Sequence, residues 1–139
     1  LYPHLYPQPQ KPLIMAKFKV TRKQVPYSGG LKTSYTATLV KNREVSAEEF
    51  SEVLTKRTRI NPIDCLKLLM TVADEISTNL SEGNIVRVGH LGSFRISIKS
   101  GTADTPNGIT PESLGTPKIV FTPSKEMKRK LEEIRYEKM

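Results

Sequence analysis

The chain has no tryptophan, one cysteine and two histidines. Cys65 alone cannot close an intramolecular disulfide, which points to a reducing compartment. On an apolar helical stripe it reads as a small core residue. His4 and His90 are far apart in sequence, and with a single cysteine they form no metal-ligand spacing and no nucleophile–base pair. The glycines form no phosphate-cradling loop ahead of a helix. Catalysis, a metal site, a cofactor and a small-molecule substrate therefore find no residues to carry them. No apolar run approaches the ~20 residues of a membrane span, and residues 1–14 lack the basic start and apolar block of a secretory signal. The expectation is a soluble, cytoplasmic protein. With 37% hydrophobic residues in a chain of 139, a monomer's core would be modest, and sharing it between two chains is one remedy.

Acidic residues are also missing from the first third. Residues 1–43 hold eight Lys or Arg and no Asp or Glu, residues 44–98 carry a net charge of −2, and residues 99–139 carry +2. The whole imbalance behind the net charge of +8 thus lies at the N-terminal side. Such one-sided charge is an electrostatic footprint for a polyanion, usually nucleic acid; the plainer reading is a solubilising surface.

Residues 1–14 are proline-rich, with a doubled Leu-Tyr-Pro, and suit neither a helix nor a central strand. Met15-Ala16-Lys17-Phe18 has the form of a chain start, so the residues before it read as a leader arising from the start site or from expression. Phe18–Arg22 and Tyr35–Val40 alternate apolar and polar residues around the turn-rich Pro26-Tyr27-Ser28-Gly29-Gly30, which predicts an antiparallel hairpin with its Lys and Arg on the polar face. Ser46-Ala47-Glu48-Glu49 is a capping box opening a helix to about Thr58, with Phe50, Val53 and Leu54 inward. Asn61-Pro62 caps and starts a second helix. Its stripe of Leu66, Leu69, Ala73, Ile76 and Leu80 is either a core or an inter-subunit seam, and Gly83 ends it. A strand follows, then a turn on Gly89 and Gly92, then the alternating Phe94-Arg95-Ile96-Ser97-Ile98. The run from Ser100 to Lys118 has little apolar pattern and reads as an arm of two ribbons with Pro106-Asn107-Gly108 near its tip. A last helix after Pro123-Ser124 should turn Met127, Leu131 and Ile134 inward and Lys125, Lys128 and Arg129 outward.

The order of capped helix, Pro-started helix, Glu82-Gly83, strand, Gly92-Ser93-Phe94 and final helix resembles the HU and integration-host-factor family of bacterial histone-like DNA-binding proteins. The resemblance covers roughly residues 46–139; the basic hairpin, Met-Ala-Lys-Phe and Tyr136-Glu137-Lys138 are similar to a subgroup with an N-terminal extension. It implies an α+β, HU-like fold: two N-terminal helices, a three-stranded antiparallel sheet with a protruding β-arm, a C-terminal helix and the added N-terminal β-hairpin. The chain is then divided into a leader (1–14), a hairpin extension (15–43) and an HU-like domain (44–139) with its arm at about 99–118. The resemblance further implies an intertwined homodimer, with Phe50, Leu66, Leu69, Ala73, Ile76, Leu80, Phe94 and Phe121 at the interface. Its partner would be double-stranded DNA of the nucleoid, held through phosphates and bent by a wedge at each arm tip.

Carried over by position, Lys125 and Lys128 fall where the family places phosphate-binding lysines, and Lys99 falls at the arm's base. Arg87, Arg95, Lys118 and Arg129 are further DNA-side candidates, against the bland reading of solvated charges. Pro106 is a further DNA-binding candidate, a wedge shifted from the family's position, against the plainer reading of a turn proline. The departures are concentrated in the arm: residues 100–117 contain no Lys or Arg, and Thr122 and Ala47 replace basic residues. The expectation is that Lys17, Lys19, Arg22 and Lys23 of the hairpin do the electrostatic work that arm arginines do elsewhere. Two other readings stay open, a dimeric scaffold whose neutral arms contact a protein, and a winged-helix regulator.

Overall fold

Alternating apolar and polar residues carry the N-terminal segment into strands longer than those predicted. In the computed structural model, which describes residues 15–139, β1 (Met15–Tyr27) and β2 (Gly30–Leu39) pair antiparallel across the two-residue turn Ser28-Gly29. The leader assigned to residues 1–14 lies outside the described residues. The fold comprises two compact units, one of the N-terminal strands with residues 129–139 and one of residues 44–128.

The first unit holds a strand the sequence reading missed. The last helix, α3 (Lys125–Leu131), stops short of Ile134, and β6 (Arg135–Lys138) then pairs parallel with β1 over Met15–Phe18. The sheet order is β2-β1-β6. The expectation of a helix with Met127, Leu131 and Ile134 inward is therefore corrected. Leu131 is 61% exposed and Ile134 half-buried, the helix end is closed by i→i+3 bonds such as Ile134 N–H to the Leu131 carbonyl (3.2 Å), and the following backbone groups find partners on β1. A free sheet edge offers this short alternating tail a full ladder, which a frayed helix end cannot.

In the second unit both helices open on the side-chain N-caps read for them. The Ser46 hydroxyl accepts from the Glu49 amide (3.1 Å) at the start of α1 (Ala47–Thr58). Asn61 accepts from the Asp64 amide (2.9 Å) ahead of Pro62, opening α2 (Pro62–Ser81), and Gly83 follows its end at φ +82°. Each such side-chain cap is worth about 1 kcal/mol. Strands β3 (Val86–Val88), β4 (Gly92–Ser97) and β5 (Lys118–Pro123) form an antiparallel sheet in that order. Gly92 has φ +142°, and an added Cβ would collide with the Thr122 carbonyl oxygen of β5. Glycine is required there by both the backbone angle and the close approach, which accounts for the Gly92-Ser93-Phe94 motif.

The residues joining β4 to β5 differ from the ribbons expected of an arm. Between Ser97 and Lys118 the ladder is reduced to the single bridge Ser100–Leu114, and the segment folds through short 3₁₀ turns at Pro106–Gly108 and Pro111–Ser113. Pro106, Pro111 and Pro117 supply no backbone donor and fix φ, so a continuous two-stranded ladder cannot form across them.

Among the described residues only Cys65, Leu80 and Ser51 are fully buried. Of the seam residues read from the sequence, Leu80 is buried within the chain itself. Leu66, Leu69, Ile76 and Phe94 are half-buried, and Phe50, Ala73 and Phe121 are exposed. Other large apolar side chains of α2 are open, with Ile63 67%, Leu68 54% and Met70 62% exposed. No helix of the described residues is long and apolar enough to cross a membrane.

Candidate nucleic-acid interface

Side chains of a strand point alternately to the two faces, and cross-strand partners share a face. In the β3-β4-β5 sheet the row Val86–Phe94–Phe121 lies on one face, with Ile96 opposite Ile119 further along it. The Phe94 and Phe121 rings are 4.9 Å apart, and α2 packs against β3 and β4. The other face carries the row Arg87–Ser93–Thr122, then Arg95 beside Val120, then Ser97 beside Lys118. Three cations and three hydroxyls thus line one side of the sheet, and Arg87, Arg95 and Lys118 are all exposed.

At one end of this face lies a shallow hollow lined by Arg87, Ser93, Thr122, Ser124 and Lys125. Ser124 is fixed by local chemistry. Its hydroxyl donates to the His90 carbonyl and accepts from the Met127 amide (3.1 Å), while its own amide donates to the Leu91 carbonyl (3.1 Å). The start of α3 is thereby tied to the β3–β4 turn, which brings Lys125 to the border of the same hollow as Arg87. Two cations flanking hydroxyl donors can hold phosphate oxygens through charge-assisted bonds. His90, 88% exposed in that turn, lies 3.9 Å from the Glu126 carboxylate and outside the cation row.

The remaining candidates fall elsewhere. Lys128 and Arg129 are exposed on α3, Lys99 follows β4, and Pro106 opens a 3₁₀ turn. In the N-terminal sheet, Lys17, Lys19 and Lys23 share one face with Thr21, since they are two or four residues apart on β1. Arg22 does not join them: its guanidinium lies on the opposite face, 3.5 Å from the Thr33 hydroxyl, which Gln24 also reaches. The expectation that all the hairpin's cations share the polar face is corrected on this point, because Arg22 alternates with Lys23 along one strand. Lys32, which the sequence reading passed over, faces Val25 and so lies on the lysine side. Counting outward from the two-residue turn would have found it. Among the described residues no three His, Cys, Asp or Glu side chains gather as a metal site.

The chain matches, over residues 15–138, the model of a family described as HU domains fused to a wHTH, Ig or glycine-rich motif. No curated protein matches it. Among solved structures, it resembles a candidate DNA-binding protein of Bacteroides vulgatus at 12% identity and a TM-score of 0.64, over 91% of this chain and 49% of that one. It also resembles HU from Anabaena, solved with DNA, at 16% identity and a TM-score of 0.50, over 63% of this chain and 97% of the other. A mutant HU from Thermotoga maritima is similar at 18% identity and a TM-score of 0.45, over 63% and 99%. The chain therefore spans about half the length of the Bacteroides protein. At these identities the likeness is one of fold.

Proposed function

This chain belongs to the family of HU domains fused to a winged helix-turn-helix, immunoglobulin-like or glycine-rich motif, and from that membership we propose that it is a non-enzymatic architectural protein that binds and bends duplex DNA. The observation that carries the reading is the polar face of the β3-β4-β5 sheet, where Arg87, Arg95 and Lys118 line the side opposite Phe94 and Phe121. Arginine and lysine beside hydroxyls suit phosphate and sugar contacts, which set position without reading sequence. The Anabaena relative was solved with DNA, which agrees with this reading.

The unit acts as a homodimer. Leu68, Met70 and Phe121 are 54%, 62% and 41% exposed in the single chain. The apolar face of α2 is wider than one chain covers, and a second copy covers the rest. Bending a 20–30 base-pair site costs about 1–6 kcal/mol, which phosphate contacts made along the curve offset. The protein is accordingly nucleoid-associated, with DNA and its own second copy as partners.

The test is the variant Arg87→Gln/Arg95→Gln/Lys118→Gln in duplex binding across a salt series. Each lost phosphate contact lowers the slope of log affinity against log salt by about 0.9, so a fall of two to three is expected; an unchanged slope would remove this face from the interface. A second reading has one observation in its favour: residues 100–117 contain no Lys or Arg, which suits a dimeric scaffold holding a protein. Retained dimerisation with no DNA binding would select it.

A further inference from the structure

Charge is divided unequally between the two units. Among the described residues, the unit of residues 15–43 and 129–139 has eleven basic and three acidic residues, a net of +8. The HU-like unit, residues 44–128, has ten against eleven, a net of −1. The HU-like unit thus carries almost no net charge, and the excess of positive charge lies in the unit that holds the N-terminal sheet.

That charge is also ordered by the sheet's register. One face carries Phe18, Val20 and Tyr35, with Leu31, Leu39 and Tyr136 from the neighbouring strands. Phe18, Ala37, Leu39 and Tyr136 line a common apolar hollow there, and Arg22 is the β1 cation on that side. The opposite face carries Lys17, Lys19, Lys23 and Lys32, all exposed, among the hydroxyls of Thr21, Ser34, Thr36 and Thr38. At ~3.4 Å per residue, Lys17 and Lys19 are about 7 Å apart and the row from Lys17 to Lys23 spans about 20 Å. Duplex DNA presents one negative charge per ~1.7 Å of axis, so such a row faces several phosphates at once. The one carboxylate in register with the row is Glu137, beside Lys17.

We propose that this lysine-and-hydroxyl face is a second DNA-binding surface, which holds the phosphate backbone of duplex DNA without reading sequence. It rests on the DNA-binding reading above and adds to it a contact outside the HU-like unit. Lysine is a mobile point charge suited to backbone contact and not to bidentate base readout. The face does not suit an anionic membrane, because insertion needs large apolar side chains interleaved with the cations. Here the β1 cations from Lys17 to Lys23 have only hydroxyls among them, and Met15, Val25 and Tyr27 of the same face stand at the ends of the row.

The experiment compares four full-length proteins on a duplex of about 40 base pairs across a salt series: wild type, Lys17→Gln/Lys19→Gln/Lys23→Gln/Lys32→Gln, the same four positions changed to Arg, and Arg22→Gln. Circular dichroism and a thermal melt verify the fold of each. With about 0.9 of slope per phosphate contact, the four-glutamine protein should lose about 3 to 4 units of slope. The arginine set should keep the wild-type slope, and Arg22→Gln should leave it unchanged. If wild type binds DNA and the four-glutamine protein keeps its slope, this proposal alone falls. If wild type does not bind DNA, the reading of the HU-like unit falls and takes the proposal with it. Charge-dependent binding to phosphatidylserine vesicles, with no slope change on DNA, would also overturn it.

Discussion

Replacing Gly92 by alanine should be far more damaging than replacing Gly83, although both glycines have positive φ. At Gly83 (φ +82°) nothing lies within 4 Å of a built Cβ, so alanine meets only the conformational penalty, about 1–2 kcal/mol. At Gly92 (φ +142°) the Cβ collides with the Thr122 carbonyl oxygen, with the Pro123 Cα at 3.0 Å and the Phe121 ring at 3.1 Å. The backbone penalty there is about 1–3 kcal/mol, and overpacking against a strand adds about 1–3 kcal/mol. Gly92→Ala should therefore cost about 2–6 kcal/mol, a large part of an ordinary domain's stability. Because Gly92 is in register with Pro123, β5 must move to relieve the clash, and that displaces the Arg87–Ser93–Thr122 row. Urea unfolding followed by circular dichroism, at one fixed protein concentration because stability is coupled to association, measures both variants. A Gly92→Ala loss no larger than that of Gly83→Ala would refute the close approach of β4 and β5 and the explanation given for the motif.

Leu68→Glu places a charge on an α2 side chain that is 54% exposed in the single chain; sedimentation should show a shift from dimer toward monomer, and an unchanged dimer would take Leu68 out of the interface. Cys65 is 3% exposed and its thiol lies 3.6 Å from the Ile60 carbonyl, so a thiol reagent should label the native protein far more slowly than the urea-unfolded one. Equal rates would contradict its burial.

What could be read from the residues alone follows the range of the interactions involved. The caps at Ser46 and Asn61 act over three residues, and the sequence contains both partners of each bond. Gly83 and Gly92 were legible for the same reason, as turns. The pairing of β6 with β1 joins residues 15–18 to 135–138, and nothing local in Arg135-Tyr136-Glu137-Lys138 distinguishes a strand from the end of a helix. That pairing places Arg135 and Lys138 beside the N-terminal cations, which a count along the chain does not give. The ribbon arm expected between β4 and β5 rests on the lack of apolar pattern along that stretch, whereas its three prolines argue against a ladder on local grounds. Arg22 shows the reverse case: strict alternation with Lys23 already placed it on the Phe18 side, and the shared sign of charge obscured it. The candidate site was legible as a set of cations, but their division between two faces and two sheets required the register.

The central claim is that this chain binds duplex DNA through its phosphates and bends it. The most direct measurement is titration of the wild-type protein onto a duplex of about 40 base pairs with a fluorescent donor and acceptor at its ends, repeated across a salt series. The account expects affinity to fall steeply with salt and energy transfer to rise on binding as the ends approach. Absence of binding at low salt would contradict the claim outright, and binding with unchanged energy transfer would contradict the bending.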